Sequence, residues 1–284
     1  MIFPFIEPHR EVWPVTVMCE TLGVSPQGFY AWLSRPNSEQ QKHRDALLAE
    51  LRAVHAEVKE RYGSPRIHAA LAARGVDCCL NTVAKLMRDN DIRAKTARKF
   101  RNTTDSNHAL PVADNLLVRE FDAQGPNERW VTDISYIPTR EGWLYLAVVE
   151  DLYSRMVVGW SMSATMTSRL VVDAMGMAVQ RRLPGAGLLA HSDRGSQYAS
   201  DHYQRLLGEH GITCSMSGVG QCWDNAPMES FFASLKKELI HHEDYQTRAQ
   251  ARASIVEYIE MFYNPRRRHA SLGYLSPAEY EQAG

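Results

Sequence analysis

The chain contains no apolar run approaching the 18 residues that a membrane-crossing helix needs. Cysteine is scarce, with five in 284 residues, at positions 19, 78, 79, 214 and 222. None forms a C-x-x-C pair and two are adjacent, which suits neither a zinc ligand set nor a disulfide framework. Reduced structural thiols of a cytosolic protein are the expectation. An excess of one charge is missing too: the net charge of −1 excludes a uniformly basic nucleic-acid binder. The N-terminus, MIFPFIEPHREVW, has acids where a secretory leader would be basic and then apolar. A soluble, cytoplasmic protein without membrane contact is expected, long enough for two domains.

The even balance hides an asymmetry. Residues 1–110 carry 16 Lys+Arg against 12 Asp+Glu, and residues 111–284 carry 16 against 21. The basic part has helical outlines. In VTVMCETLGVSPQGFYAWLS (15–34), Gly23 suits a left-handed turn and Ser25-Pro26 opens a second helix, the outline of a helix-turn-helix within residues 1–36. A plain αα-hairpin fits this segment as well. Residues 37–101 form a second helical module. Leu47, Leu51, Val54 and Val58 mark a long helix, SPRIHAALAARG a shorter one, and LNTVAKLMRDNDI a third that starts at an N-capping Asn81. Its tail, KLMRDNDIRAKTARKFR, has seven basic and two acidic residues, among them Lys95, Arg98 and Lys99. Two helix-turn-helix outlines in one basic region point to DNA. Residues 102–127 are polar and turn-rich, hence a linker.

Past the linker the pattern changes. ERWVTDISYIP, WLYLAVVEDLYS and RMVVGWSMS read as a three-stranded antiparallel meander. An amphipathic helix (TSRLVVDAMGMAVQRR), a strand (GLLAHSD), a helix (SQYASDHYQRLLGEHG), a strand (ITCSMS) and the helix of CWDNAPMESFFASLKKE follow, with another helix over 247–263. This order predicts an α/β fold over 128–284: a mixed five-stranded sheet flanked by helices, behind an all-α front region.

Three acids stand out in that order. Asp133 lies inside the first strand, where an isolated charge is costly unless paired or on a metal. Asp193 ends the fourth strand, at the edge where ligands gather in such sheets. Glu229 begins the helix after the fifth strand. Carboxylates converging from three elements suit hard divalent cations, and two Mg²⁺ ions support in-line phosphoryl transfer. Each acid also has an ordinary reading, as strand, turn or first-turn residue. Asp151 is the rival acid, while Asp224 reads as a turn residue and Glu238 as surface charge.

WVTDISYI, HSDRGSQYAS, CWDNAPMESFFASLKKELI and YNPRRRHASLGYLSPAEY resemble the integrase core of OrfB-type transposases of insertion sequences. These have a retroviral-integrase-like, RNase H-like core and a D,D-35-E triad. Here 35 residues lie between Asp193 and Glu229. MCETLGVSPQGFYAWLSRP and the 62–95 region resemble the family's front helical modules. One departure is SGVGQCWDNA, where Gln221 keeps an amide. The resemblance implies that Asp133, Asp193 and Glu229 bind Mg²⁺, with Mn²⁺ as substitute, for DNA strand cleavage and strand transfer in transposition. It further implies double-stranded DNA partners (terminal inverted repeats and target), a homo-oligomer of at least two copies, an OrfA partner or OrfA–OrfB fusion, and a bacterial, nucleoid-associated location.

Around the triad, Lys236 lies seven residues past Glu229 and so on nearly the same helix face, with Lys237 beside it; both are candidates for phosphate contact. Met228, Phe232, Leu235 and Leu239 form the adjacent apolar stripe. Arg194 flanks Asp193, and Arg266, Arg267 and Arg268 form a basic cluster that suits DNA or solvent. His191 fits a strand-end histidine with a structural hydrogen bond. A nuclease that does not join, and a non-catalytic DNA-binding regulator, are the competing readings.

Overall fold

The computed structural model describes residues 2–36, 38–95, 113–218 and 222–284. Arg98, Lys99, Gln221 and the first part of the expected linker lie outside them. Among the described residues, no helix is long and apolar enough to cross a membrane.

Three helices open the chain: α1 (Phe3–His9), α2 (Val15–Thr21) and α3 (Pro26–Leu33). Gly23 takes φ +69 in the α2–α3 turn, and the Ser25 hydroxyl accepts the Gly28 N–H to start α3. Ile6, Met18, Cys19 and Phe29 make a small core of their own. The sequence reading had no counterpart for α1.

Next come α4 (Glu39–Glu57), α5 (Ser64–Ala73) and α6 (Leu80–Asp89). The third begins earlier than Asn81 predicts. Cys79 is its N-cap, with its Sγ 3.1 Å from Thr82 Oγ1 at the third helical position, so Asn81 falls inside the first turn.

The sheet runs β3-β2-β1-β4-β5, built from β1 (Arg129–Ile137), β2 (Leu144–Asp151), β3 (Val157–Ser163), β4 (Leu189–Ser192) and β5 (Thr213–Met216). β1, β2 and β3 pair antiparallel, while β4 and β5 join parallel through α7 (Ser168–Arg182) and α8 (Asp201–Glu209). The sequence put the start of α8 at Ser196. Instead Ser200 caps it by accepting the Tyr203 N–H, and residues 196–200 form a turn. Strand alternation divides the core. Trp130, Ala147, Val149 and Val158 face α7 and α8, and Gly159 lets α7 approach so closely that a Cβ there would run into the Ala174 carbonyl.

Val131, Ile137, Leu146 and Val148 face the opposite way, toward α9 (Ala226–Glu238), α10 (Arg248–Val256) and α4–α6. Past α10 the chain winds as a π-helical segment, Glu257–Tyr263, then a short α11 (Asn264–Arg266) and α12 (Pro277–Ala283). The wider turn keeps Tyr258 and Tyr263, five residues apart, buried together.

The described end of the expected linker is stitched to the sheet edge: Leu116 and Leu117 N–H both donate to Ser215 Oγ, and Leu117 is buried. Glu238 is not surface charge. It is buried, accepting from Arg267 at 2.8 Å, Arg66 at 3.1 Å and the Tyr258 hydroxyl at 2.8 Å. Arg267 is equally enclosed, so neither solvent nor DNA is its environment; it joins α9 to the C-terminal segment.

Candidate active site

β1 and β4 run parallel with Val131 beside His191. Two residues further on, Asp133 is on the α9 face by strand alternation, and Asp193, one residue past the end of β4, bears on its carboxyl. Glu229 lies in the first turn of α9, which packs over β1. The buried Met228, Phe232, Leu235 and Leu239 seat the helix on the sheet as its periodicity predicts, leaving Glu229 on the exposed flank.

Asp133 is half-buried, and its Oδ1 accepts the Ile134 N–H at 2.7 Å. Burial, then the neighbouring Asp193 and Glu229 carboxylates, push its carboxyl up to about 8, against the pull of that N–H and of Lys236. Asp193 Oδ1 accepts the Gly195 N–H at 2.8 Å. As the side chains stand, no three His, Cys, Asp or Glu among the described residues close into a ligand set. The donors are nonetheless all carboxylate oxygens that repel one another across a common edge, which is the donor chemistry of a hard divalent cation.

Lys236 shares this neighbourhood. Burial lowers its ammonium while Asp133 pulls the other way, and its Nζ lies 5.4 Å from the centre of the Tyr136 ring. Lys237 is exposed one position on. Arg194 Nε donates to the Ser217 carbonyl at 2.6 Å, tying the loop after β4 to the end of β5. Arg266 is exposed and Arg268 half-buried, its guanidinium donating to the Tyr274 carbonyl. Lys95 follows α6, its backbone N–H donating to the Glu60 carbonyl.

Two acids are set aside by geometry. Asp151 pairs with Trp130, three residues or roughly 10 Å back along β1 from Asp133, and on the α7 face. There it accepts from the Asn127 and Tyr153 N–H groups and from Trp130 Nε1. Asp224 accepts from Arg119 Nε, Asn115 Nδ2 and the Gly218 N–H; burial alone would raise its carboxyl, but these donors hold it below its ordinary value. His191 is buried between the Ser215 and Ser217 hydroxyls at 2.8 and 3.1 Å, and burial lowers it to about 4, so it is neutral and structural.

Two neighbours went unread in the sequence. Tyr198 is buried, 3.2 Å by its hydroxyl from Thr132 Oγ1, and its pKa is raised by burial and by Asp133 and Asp193. Asn225, just before α9, is buried with Nδ2 toward the Thr132 carbonyl at 3.4 Å and no partner for Oδ1 among the described residues. The turn 196–200 carries Tyr198 below the carboxylates, a placement with no periodic signal.

The protein families that match the chain agree with this architecture. Residues 123–222 and 229–283 match families described as integrase core domains, and residues 42–100 match an HTH-like domain. The chain is 45% identical over 283 residues to the transposase InsF for insertion sequence IS3A of Escherichia coli (strain K12), covering 99% of this chain and 98% of that protein. It is 43% identical over 265 residues to the insertion element IS600 uncharacterized 31 kDa protein of Shigella sonnei, covering 93% and 97%. Among solved structures it is similar to the catalytic core domain of BIV integrase, at 18% identity and TM-score 0.43 over 55% of this chain and 95% of that one. With such identity along its whole length, the chain belongs to the InsF-type transposases of IS3-family insertion sequences.

Proposed function

We propose that this transposase cuts and joins DNA at one site, formed by Asp133, Asp193 and Glu229. The observation that carries the reading is the convergence of three elements: Asp133 in β1, Asp193 just past the parallel neighbour β4, and Glu229 in the first turn of α9 over β1, with the two further carboxylates bearing on the half-buried Asp133. Three anions gathered against a sheet face are unfavourable for folding alone and favourable for holding positive charge. The three carboxylates would hold divalent cations, two Mg²⁺ or in substitution Mn²⁺, which supply activation of the attacking hydroxyl and stabilisation of the leaving oxygen. Asp133 and Asp193 fix the floor of the site from neighbouring strands, and Glu229 reaches it from the helix above. Lys236 and Lys237 lie along the same helix toward its C-terminal end and contact the phosphates next to the scissile bond.

Arg194 positions the β4 loop, and Arg266 and Arg268 border the path of the DNA; Arg267, enclosed against Glu238, takes no part. The front helices, with Lys95, Arg98 and Lys99, grip double-stranded DNA at the element's terminal repeats. Cutting two ends together calls for at least two copies, and an upstream OrfA segment, fused or separate, would complete DNA recognition near the nucleoid.

Asp133→Asn, Asp193→Asn and Glu229→Gln, made singly, test the assignment. Each should lower cleavage and strand transfer of an end-bearing oligonucleotide by roughly 10²–10³-fold or more while sparing DNA binding. Mg²⁺ or Mn²⁺ should also raise the melting temperature of the unchanged chain, and less so that of each variant. Full activity in any variant removes that residue from the site; cleavage without joining would favour a nuclease.

A further inference from the structure

At the far end of the strand that carries Asp133, the turn between β1 and β2 displays an aromatic ring that the chemistry above does not use. Trp143 is 49% exposed although the segment carrying it is clamped. Arg140 Nε and Nη2 donate to the two Asp244 carboxylate oxygens at 3.0 and 2.9 Å, and the Arg140 N–H donates to the Tyr245 carbonyl. Arg248 holds the other side: its N–H donates to Glu141 Oε2, and its guanidinium to the carbonyls of Glu141 and Trp143. Gly142 completes the turn at φ +104, with Arg248 Nη2 3.0 Å from where a Cβ would stand. A turn held this way is not a fraying tip, so the indole is presented in a fixed place.

That place is defined by its neighbours. The indole stands edge-on to Tyr136, with ring centres 5.0 Å apart and planes at 81°. Lys236 Nζ lies over the same tyrosine ring, and the Asp133 carboxylate favours its charged form against the lowering effect of burial. Lys237 and His241 are exposed nearby, and His241 senses Lys236. An exposed indole thus stands one tyrosine ring away from a cation on the helix that carries Glu229.

We propose that Trp143, backed by Tyr136 and flanked by Lys236, is a stacking step for one unpaired base of the element's end, next to the phosphate to be cut. The proposal rests on Asp133, Asp193 and Glu229 being the cleavage site. A ligand that offers a flat apolar face and, one step away, a negative charge is a nucleotide in a strand. In an intact duplex that face is covered by the neighbouring pair, so the step selects a base that has left the stack. A bare phosphate would have no use for the indole, and an apolar protein surface would meet the positive rim.

The experiment uses the full chain and two duplexes carrying the terminal sequence of the encoding element, one fully paired and one mismatched at its terminal pairs, each with 2-aminopurine at the terminal position. The unchanged chain should prefer the frayed duplex by about 10-fold and alter the 2-aminopurine emission. Trp143→Phe should keep most of the preference, while Trp143→Leu, which retains bulk without a ring, and Trp143→Ala should lose it. Equal preference in Trp143→Leu and Trp143→Phe overturns the proposal. The same series in the Asp133→Asn background separates the two readings. A preference that persists there without cleavage supports both, cleavage there refutes the triad alone, and a preference indifferent to Trp143 refutes the stacking step alone.

Discussion

Glu150 sits where β2 shifts register against β3, 1% exposed, with Arg155 at 3.5 Å and the Tyr263 hydroxyl at 3.4 Å. Burial outweighs these weak partners and raises its carboxyl from 4.5 to about 8. Because the folded state holds this proton more tightly than the unfolded one, Glu150 is harmless below about pH 4.5. Its ionisation costs stability progressively as the pH rises toward 8, and the cost is constant above that. Glu150→Gln should therefore match the unchanged chain near pH 4 and exceed it by a few kcal/mol near pH 8.5 in urea unfolding. Parallel stability curves would show that Glu150 ionises freely in the fold. Glu238 is the contrasting case: equally buried, it is held below its ordinary value because Arg267, Arg66 and Tyr258 overcome the burial. Nothing local distinguishes these two acids. Each shares its element with a second acid, and partners come from residues up to 172 positions away.

Among the elements, the sheet and the helices over it follow from periodicity alone, because a strand that buries both faces and a helix that buries one stripe leave a repeat in the sequence. That Asp133 stands in β1, Asp193 just past β4 and Glu229 in the first turn of α9 was legible for the same reason, since strands and helix starts leave local signals; their joint role is the proposal made above. Tyr198, Asn225 and the hairpin tryptophan were not, since turns have no repeat and their side chains are aimed by whatever holds the turn. Gly159 shows how tightly one pair of elements is fitted. A methyl group there would meet the Ala174 carbonyl and the Ala178 backbone N, neither able to swing aside. Gly159→Ala should destabilise the chain by about 1–3 kcal/mol or more, read as a lower melting temperature, with β3 and α7 losing hydrogen-exchange protection first. An unchanged melting point would mean that α7 is free to slide on the sheet.

Across the whole molecule, α4–α6 are built into the catalytic half. Leu51, Ile67 and Leu86 share one apolar cluster with Val131, Phe232 and Ile259. Arg61 lies over the Phe262 ring at 4.3 Å, and the Tyr62 hydroxyl bridges the Arg266 carbonyl and the Arg268 N–H. By contrast α1–α3 close a separate small core. Equilibrium denaturation should accordingly give one cooperative transition covering α4–α6 and the sheet, and an earlier, independent loss of α1–α3. Two separate transitions for α4–α6 and the sheet, followed by hydrogen exchange, would contradict the shared core.

The sequence by itself determined the order of elements, the mixed sheet, and the presence of one acid on each of three of its elements, since all of these depend on residues close together in the chain or on a repeat along it. Only the tertiary structure decided which charges are enclosed and which face outward. It turned Glu238 and Arg267 from surface charges into a buried pair, put Asp151 on the sheet face opposite Asp133, and set Trp143 and Lys236 against one tyrosine ring. Burial and pairing are properties of what covers a residue, and what covers it is seldom its neighbour in sequence.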